Sequence, residues 1–350
     1  HHYKMRYPGQ EAESARGLRL SPLYQRLKDQ GAVYGSKNGW ERPLWFAPDG
    51  VAPVDQLDFL DPGWKAFAAA EHRAVRERVA LIDQTSFSKF EIRGAGAADA
   101  LQHLAVSNMD RPVGAVIYTQ LCNARGGIEA DVTFTRLGPD HYLMVTGAGF
   151  GVHDADWVRR HLPDGIWIAE VTSAWAVVNL AGPRARDVLA AASESDVSTA
   201  AIPFATAREI VIGASPVRAA RIGYVGELGF ELYIPTEFAC HVYDTLWAAG
   251  QAHGIANVGY RAIDSLRMEK GYLYWSGDIS PDYTPFEAGL GARVHFRSKG
   301  DFIGRSALEA QRDRGVARRL STFTTEADLP LTGGETILLA DEVVSVSYTH

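Results

Sequence analysis

The run Arg221-Ile222-Gly223-Tyr224-Val225-Gly226-Glu227-Leu228-Gly229-Phe230-Glu231-Leu232-Tyr233-Ile234-Pro235 sets three glycines at three-residue spacing in a strand-forming stretch that carries two carboxylates. Glycine reaches backbone angles that other residues avoid and lets a flat ligand lie close to the chain. Tyr224 and Phe230 can stack on such a ligand, and Glu231 can accept paired hydrogen bonds from it. A pterin suits this arrangement, because its amino-pyrimidinone edge carries adjacent N–H donors.

Asp131 follows Gly127 by four residues at the head of a strand-forming run, where Asp is disfavoured unless something uses it. Alternation sets it with Glu129 and Thr133, opposite Ala130, Val132 and Phe134. Two readings stay open here. The carboxylate can hold or deprotonate an amine nitrogen, or it can satisfy a turn at a solvated strand end. Arg261 leaves a similar choice, since Arg261 and Asp264 lie one helical turn apart and form either a surface pair or a charged fork aimed at a carboxylate or carbonyl. The aromatic clusters Trp40 to Phe46 and Tyr272 to Trp275 serve either the core or the wall of a flat-ligand pocket.

Other chemistries lack their residues. The 11 histidines form no H-x-x-H or HExxH arrangement, so no metal is expected. G-x-S-x-G and Walker loops are absent, and Gly223 to Gly229 reads G-x-x-G-x-x-G, which is not the dinucleotide fingerprint. Cys122 and Cys240 are too few for a disulfide framework or a cysteine zinc site, which points to a reducing compartment. Lys and Arg number 35 against 42 Asp and Glu, a net charge of −7 with no basic run interleaved with aromatics, which argues against nucleic acid or an anionic membrane as partner. No apolar run reaches the ~18 residues of a membrane helix, and the start lacks a signal-peptide pattern. The cytoplasm is expected, or the mitochondrial matrix in a eukaryotic source.

The elements that must position these residues read as mixed helices and strands, an α+β fold. A helix is expected near 22–28 after Ser21, with the rest of 1–60 an irregular covering segment. Strands at 80–83 and 89–94 read as a pair, and a helix follows at about 96–105. Strands at 115–121, 131–137 and 141–145 form a meander around Asn123-Ala124-Arg125-Gly126-Gly127. Further helices are expected at 153–161, 184–193, 236–253 and 260–270, with strands at 166–170, 175–180 and 208–213 and a glycine-rich hairpin at 221–235. A loop, a short strand and a helix over 285–317 lead to strands at 319–323 and 336–339. The chain opens without Met and stops inside an apparent strand at Val346-Ser347-Tyr348-Thr349-His350, so a piece of a longer polypeptide is expected.

Taken together, the motifs resemble the folate-binding half of dimethylglycine and sarcosine dehydrogenases, a group related to the aminomethyltransferase (T protein) of the glycine cleavage system. Ser21-Pro22-Leu23-Tyr24, Gly31 to Gly35 and Gly39-Trp40-Glu41-Arg42-Pro43 resemble the linker domain of the flavin dehydrogenases. Gly126 to Asp131, Gly182-Pro183, Gly223 to Glu231, Arg261 to Arg267 and Lys299 to Arg305 resemble the shared folate domain in order. The resemblance implies an aminomethyltransferase-like fold in three parts: a linker domain at 1–60, a folate domain at 61–290, and a connector with a partial C-terminal β-barrel at 291–350.

It also implies a tetrahydrofolate site in which Asp131 lies near the folate amine, Glu231 and Tyr224 grip the pterin, and Arg261 and Tyr118 help line the pocket. The implied chemistry is capture of the carbon released by oxidative demethylation of an N-methyl amine, giving 5,10-methylene-tetrahydrofolate. FAD would come only through a domain before residue 1 or an oxidase partner. Two alternatives are a non-catalytic folate-binding scaffold and a folate-dependent demethylase of another methyl donor. Scaffold relatives in iron–sulfur cluster assembly carry Cys where this chain has Asp301, and the Gly39 to Pro43 motif argues against the demethylase.

Overall fold

The computed structural model describes residues 7, 9–324, 331 and 333–346. Near the N-terminus Ser21 Oγ accepts the Leu23 N–H at 3.2 Å, and α1 (Tyr24–Asp29) follows. The expected irregular cover is instead an antiparallel hairpin of β1 (Ala32–Lys37) and β2 (Trp40–Phe46). Its turn is Asn38-Gly39, both at positive φ, the pairing that a two-residue hairpin loop requires. Val33, Leu44 and Trp45 of the hairpin are buried against Trp64, Phe67 and Tyr260.

The body is built from α2 (Lys65–Glu77), β3 (Ala80–Asp83), β4 (Ser88–Arg93), α3 (Ala97–Leu104), β5 (Val116–Cys122), β6 (Ile128–Gly138), β7 (His141–Thr146), α4 (Gly151–His161) and β8 (Trp167–Glu170). It continues through β9 (Trp175–Ala181), α5 (Ala185–Ala192), β10 (Ala207–Ile212), β11 (Ser215–Ala220), β12 (Gly229–Pro235), α6 (Ala239–Gly250), β13 (Ala256–Asn257) and α7 (Tyr260–Glu269). Two sheets result, one ordered β5-β6-β7-β4-β8 and the other β10-β11-β12-β9-β3-β13. This is the α+β organisation that the strand and helix runs imply.

Two local expectations are corrected. β3 and β4 are not a pair: β3 lies between β9 and β13, β4 lies between β7 and β8, and the short link 84–87 carries the chain from one sheet to the other. Nor is 221–235 a hairpin. Residues 221–228 form a loop containing Gly226 at φ +73°, and β12 pairs with β11 and β9. β11 escapes a sequence reading because Pro216 and a run of Ala dilute its strand character.

Strand alternation explains how the sheets pack. On β6, Ala130, Val132 and Phe134 turn outward into a core shared with Leu101 of α3 and Val158 of α4. On β9 and β12, Val178, Leu180, Leu232 and Ile234 turn toward Val188 and Leu189 of α5 and Val242 and Leu246 of α6. The opposite faces of the two sheets meet through Val116, Leu143, Val177, Ala220 and Tyr233. That inner seam is where the polar residues described below converge.

Beyond α7 the chain runs as turns to α8 (Arg305–Arg314) and ends in a hairpin of β14 (Thr336–Leu339) and β15 (Glu342–Val346). The short strand expected within 285–317 does not form among the described residues, and neither does the one at 319–323. There Leu320 N–H donates to Glu287 O at 2.9 Å, tying the chain to a loop instead of a sheet edge. The expected strand continuation at 347–350 lies outside the described residues.

Candidate functional site

Asp131 sits on the inner face of β6, directly opposite Gln120 of β5. Gln120 Nε2–H donates to Asp131 Oδ1 at 2.8 Å. The hydroxyl of Tyr118, two residues before Gln120 on β5, also hydrogen-bonds the carboxylate. Asp131 keeps partial solvent access, yet burial pushes its carboxyl up to about 6 against the downward pull of those two hydrogen bonds. Burial first, and then the Asp131 charge, drives the Tyr118 phenol far above its ordinary value, so Tyr118 stays protonated as a donor. Arg293 lies 5.4 Å from the centre of the Tyr118 ring. The alternative of a freely solvated strand-end Asp does not describe this carboxylate.

Glu231 is on the inner face of β12, paired with Asn179 of β9 and with Ala220 of β11. Tyr233 donates its hydroxyl proton to Glu231 Oε2 at 2.8 Å. Burial pushes the Glu231 carboxyl up to about 7, with the Tyr233 hydrogen bond opposing. Tyr224, on the glycine loop, donates to Leu273 O at 2.6 Å and stacks on Tyr272 at 6.1 Å. Its phenol is raised chiefly by burial, and both Arg267 and Asp131 are close enough to act on it. Tyr224 therefore links the two halves of the seam, with its hydroxyl tied to backbone and its ring left for stacking.

Arg261 has a different setting. Nη1 and Nη2 each reach Asp55 at 2.7 Å, in a side-on pair whose side chains are 10% and 18% exposed. Its guanidinium also covers Trp64 at 4.2 Å, and Trp45 Nε1–H donates to the same Asp55 at 2.7 Å. Among the described residues these contacts join α7 to the covering segment 53–64, and none of them is with Tyr118, Asp131, Tyr224 or Glu231. Neither the surface pair with Asp264 nor the fork aimed into a pocket is what the structure displays.

Three further groups belong to the seam and were missed in sequence. Gln120 Oε1, both side-chain polar atoms of Asn179, and Arg267 Nη2 are buried without a hydrogen-bond partner. Two of them were legible: Asn179 interrupts the apolar run Ala176-Val177-Val178-Asn179-Leu180-Ala181, and Gln120 shares the parity of Tyr118. Gln120 and Asn179 stand on the two sheets and Arg267 on α7, and native proteins rarely leave such atoms unpaired. Cavities of about 400 Å³ beside Val294 to Ser298 and about 590 Å³ beneath residues 10–16 adjoin no such atom. Among the described residues no cluster of His, Cys, Asp and Glu could hold a metal ion, and no helix is long and apolar enough to cross a membrane.

The sequence profile of the GCVT N-terminal domain matches residues 23–298. The chain belongs to that family. It is similar to the mitochondrial sarcosine dehydrogenase of Homo sapiens, with 35% identity over 98% of this chain and 42% of the relative. Against the mitochondrial pyruvate dehydrogenase phosphatase regulatory subunit of Mus musculus the identity is 37%, over 99% of this chain and 42% of the relative. An aminomethyltransferase of Halothermothrix orenii is 32% identical over 87% of this chain and 80% of its own length. The solved aminomethyltransferase T of the glycine cleavage system from Bartonella henselae has a TM-score of 0.72 at 26% identity, covering 87% of this chain and 77% of that one. This GCVT-family chain therefore has the aminomethyltransferase-like fold its motifs imply, and it spans about two fifths of the length of the first two relatives.

Proposed function

We propose that the seam between the two sheets binds tetrahydrofolate and that the chain is a one-carbon transfer module. It would capture the formaldehyde-level carbon released on oxidation of an N-methyl amine of the dimethylglycine or sarcosine type, giving 5,10-methylene-tetrahydrofolate. One observation carries the reading: Asp131 and Glu231, two carboxylates with raised pKa values, stand on facing sheets beside the buried unpartnered atoms of Gln120 and Asn179. Groups whose pKa is shifted by burial cluster at working sites.

The residues fit a reduced pteridine. Glu231 offers two acceptor oxygens to adjacent N–H groups, Tyr224 offers a ring face, and Asp131 offers a carboxylate on the facing sheet for an amine nitrogen. Tetrahydrofolate, when bound, supplies the amine nitrogens that take up the carbon. Asp131, at about 6, is largely ionised at neutral pH and holds or accepts a proton there, while Gln120 and Tyr118 fix its direction. Fixing the acceptor where the carbon arrives makes the addition effectively unimolecular.

Amine oxidation is assigned to a flavin-bearing domain or subunit, because this chain has no dinucleotide fingerprint. The dehydrogenase names of relatives in which this chain spans about two fifths support that division of labour. Mitochondrial names among them support the matrix as compartment for a eukaryotic source. A second reading, a folate-binding scaffold without transfer activity, is favoured by the likeness to a regulatory subunit.

Calorimetric titration with 5-formyltetrahydrofolate, a stable reduced folate, tests the binding. Saturable micromolar affinity in the wild type, lost on substitution of Glu231, supports the reading, and no heat at millimolar ligand overturns it. Methylene transfer in the presence of an amine-oxidising partner then separates the module from the scaffold.

A further inference from the structure

Asn179 stands in the middle of β9, fully buried, with neither its side-chain oxygen nor its nitrogen hydrogen-bonded. An amide sealed in this way costs on the order of 1–3 kcal/mol for each unsatisfied group, and the neighbouring positions Val177 and Ala181 on the same face are apolar. A sequence under no other demand would place Val or Leu there, as it does at Val178 and Leu180. The residue directly across the ladder is Glu231, and side chains so paired have Cβ atoms about 5 Å apart on one face. An amide and a carboxylate therefore stand side by side on the floor of the seam.

Above that floor runs the glycine loop. A Cβ placed on Gly223 would lie 3.6 Å from Asn179 Nδ2, so the backbone of the loop is what covers the amide. Gly223, Gly226 and Gly229 give the loop freedom to lift, and Tyr224 follows Gly223 immediately. The cover on Asn179 is thus the same segment that brings the stacking ring.

Resting on the folate reading, we propose that Asn179 is a second recognition residue for the pteridine, its side-chain N–H₂ donating to the lactam C=O beside the N–H groups held by Glu231. The N–H₂ group thus meets the one acceptor on that edge of the ligand, which a carboxylate cannot serve. In the free chain the amide is held unsatisfied, and the loop must lift for the ligand to reach it. The amide adds to Glu231 what a carboxylate lacks: a donor for the lactam oxygen, and so discrimination for a 4-oxo ring.

The test uses the chain with Asn179→Leu, a near-isostere without hydrogen-bonding groups, and Asn179→Ser as a second variant should the first fail to fold. Tm is measured without ligand and the dissociation constant of 5-formyltetrahydrofolate by calorimetry. The expected result for Asn179→Leu is a Tm held or raised with a dissociation constant larger by up to about tenfold, the effect of losing one hydrogen bond at the upper end of its net strength. Unchanged affinity in either folded variant overturns the assignment of Asn179 while leaving the folate reading intact. Loss of the folded chain in both variants overturns it too, since the amide would then hold the apo sheet together. If the wild type itself binds no reduced folate, the folate reading falls and this assignment with it.

Discussion

Gln120 and Asp131 face each other across the β5–β6 ladder, and the Gln120 amide donates to the Asp131 carboxylate at 2.8 Å. The second amide atom, Oε1, is buried and unpaired. This couple fixes where the carboxylate points and partly offsets the burial that lifts it to about 6. A base poised just below neutral pH, aimed by a neutral neighbour, is suited to proton transfer from an amine.

Removing the Gln120 hydrogen bond takes away a stabiliser of the charged form, so Asp131 must titrate higher in Gln120→Leu. The pH profile of methylene transfer should rise through about pH 6 in the wild type and through a higher pH in the variant. An unmoved midpoint would mean that another group governs the profile. Asp131→Asn should lower the transfer rate by about 10²–10⁴, the usual contribution of a positioned acid or base, with folate affinity changed far less.

Glu231 gives binding its own pH dependence. Its carboxyl is raised to about 7 in the free chain, and a ligand edge of N–H donors favours the ionised form. Binding then releases a proton, so affinity should grow as pH rises from 6 to 8 and level off above. Glu231→Gln should weaken binding by about 1–3 kcal/mol at pH 8 and abolish the slope. Calorimetry in two buffers of different ionisation enthalpy counts the protons, and a pH-independent wild type would remove Glu231 from the contact.

Much of this site was legible before the fold. The parity of Asp131 against Ala130, Val132 and Phe134, and the glycines before Glu231, are local signals with a physical reason. The Asn38-Gly39 turn was equally local, yet the Pro and Trp around it hid the hairpin. What a sequence cannot offer is the partner across a ladder: Glu231 meets Asn179 only because β12 pairs with β9. The separation of β3 from β4 has the same origin, since two apolar strands with a short link read as a pair until both sheets are counted.

Arg261 illustrates the limit most clearly, because its partner Asp55 lies 206 residues away. The bidentate pair and the stacking on Trp64 assign it to holding the cover on α7. Arg261→Ala leaves Asp55 partly buried without its cation, and about 3 kcal/mol of stability should go with it, at the low end for breaking a buried pair. Folate affinity should change less than about twofold. Urea unfolding and calorimetry on the same variant decide it: a large affinity loss with unchanged stability would return Arg261 to the pocket.

Glu71 of α2 provides a test of the fold that is separate from any ligand. Its two oxygens accept the N–H of Phe46 on β2 at 2.7 Å and that of Gly259, the residue before α7, at 2.8 Å. Burial nevertheless pushes its carboxyl up to about 7, so desolvation outweighs both hydrogen bonds and the nearby Arg261 charge. A carboxyl whose folded-state value lies above its unfolded one binds the extra proton when folded. Its contribution is thus fully present below about pH 4.5 and lost as pH rises through 7. In Glu71→Gln that slope should vanish, since the amide cannot ionise, while the variant loses a pH-independent amount because its –NH₂ cannot accept one of the two backbone N–H bonds. Relative to the variant, the wild type should therefore lose up to about 3 kcal/mol between pH 4.5 and 8, the equivalent of a shift of roughly 2.5 units. Paired urea titrations at the two pH values read the difference directly. A wild type as independent of pH as the variant between 4.5 and 8 would show that the two backbone donors hold the ionised form, and that the link between α2, β2 and α7 is an anion after all.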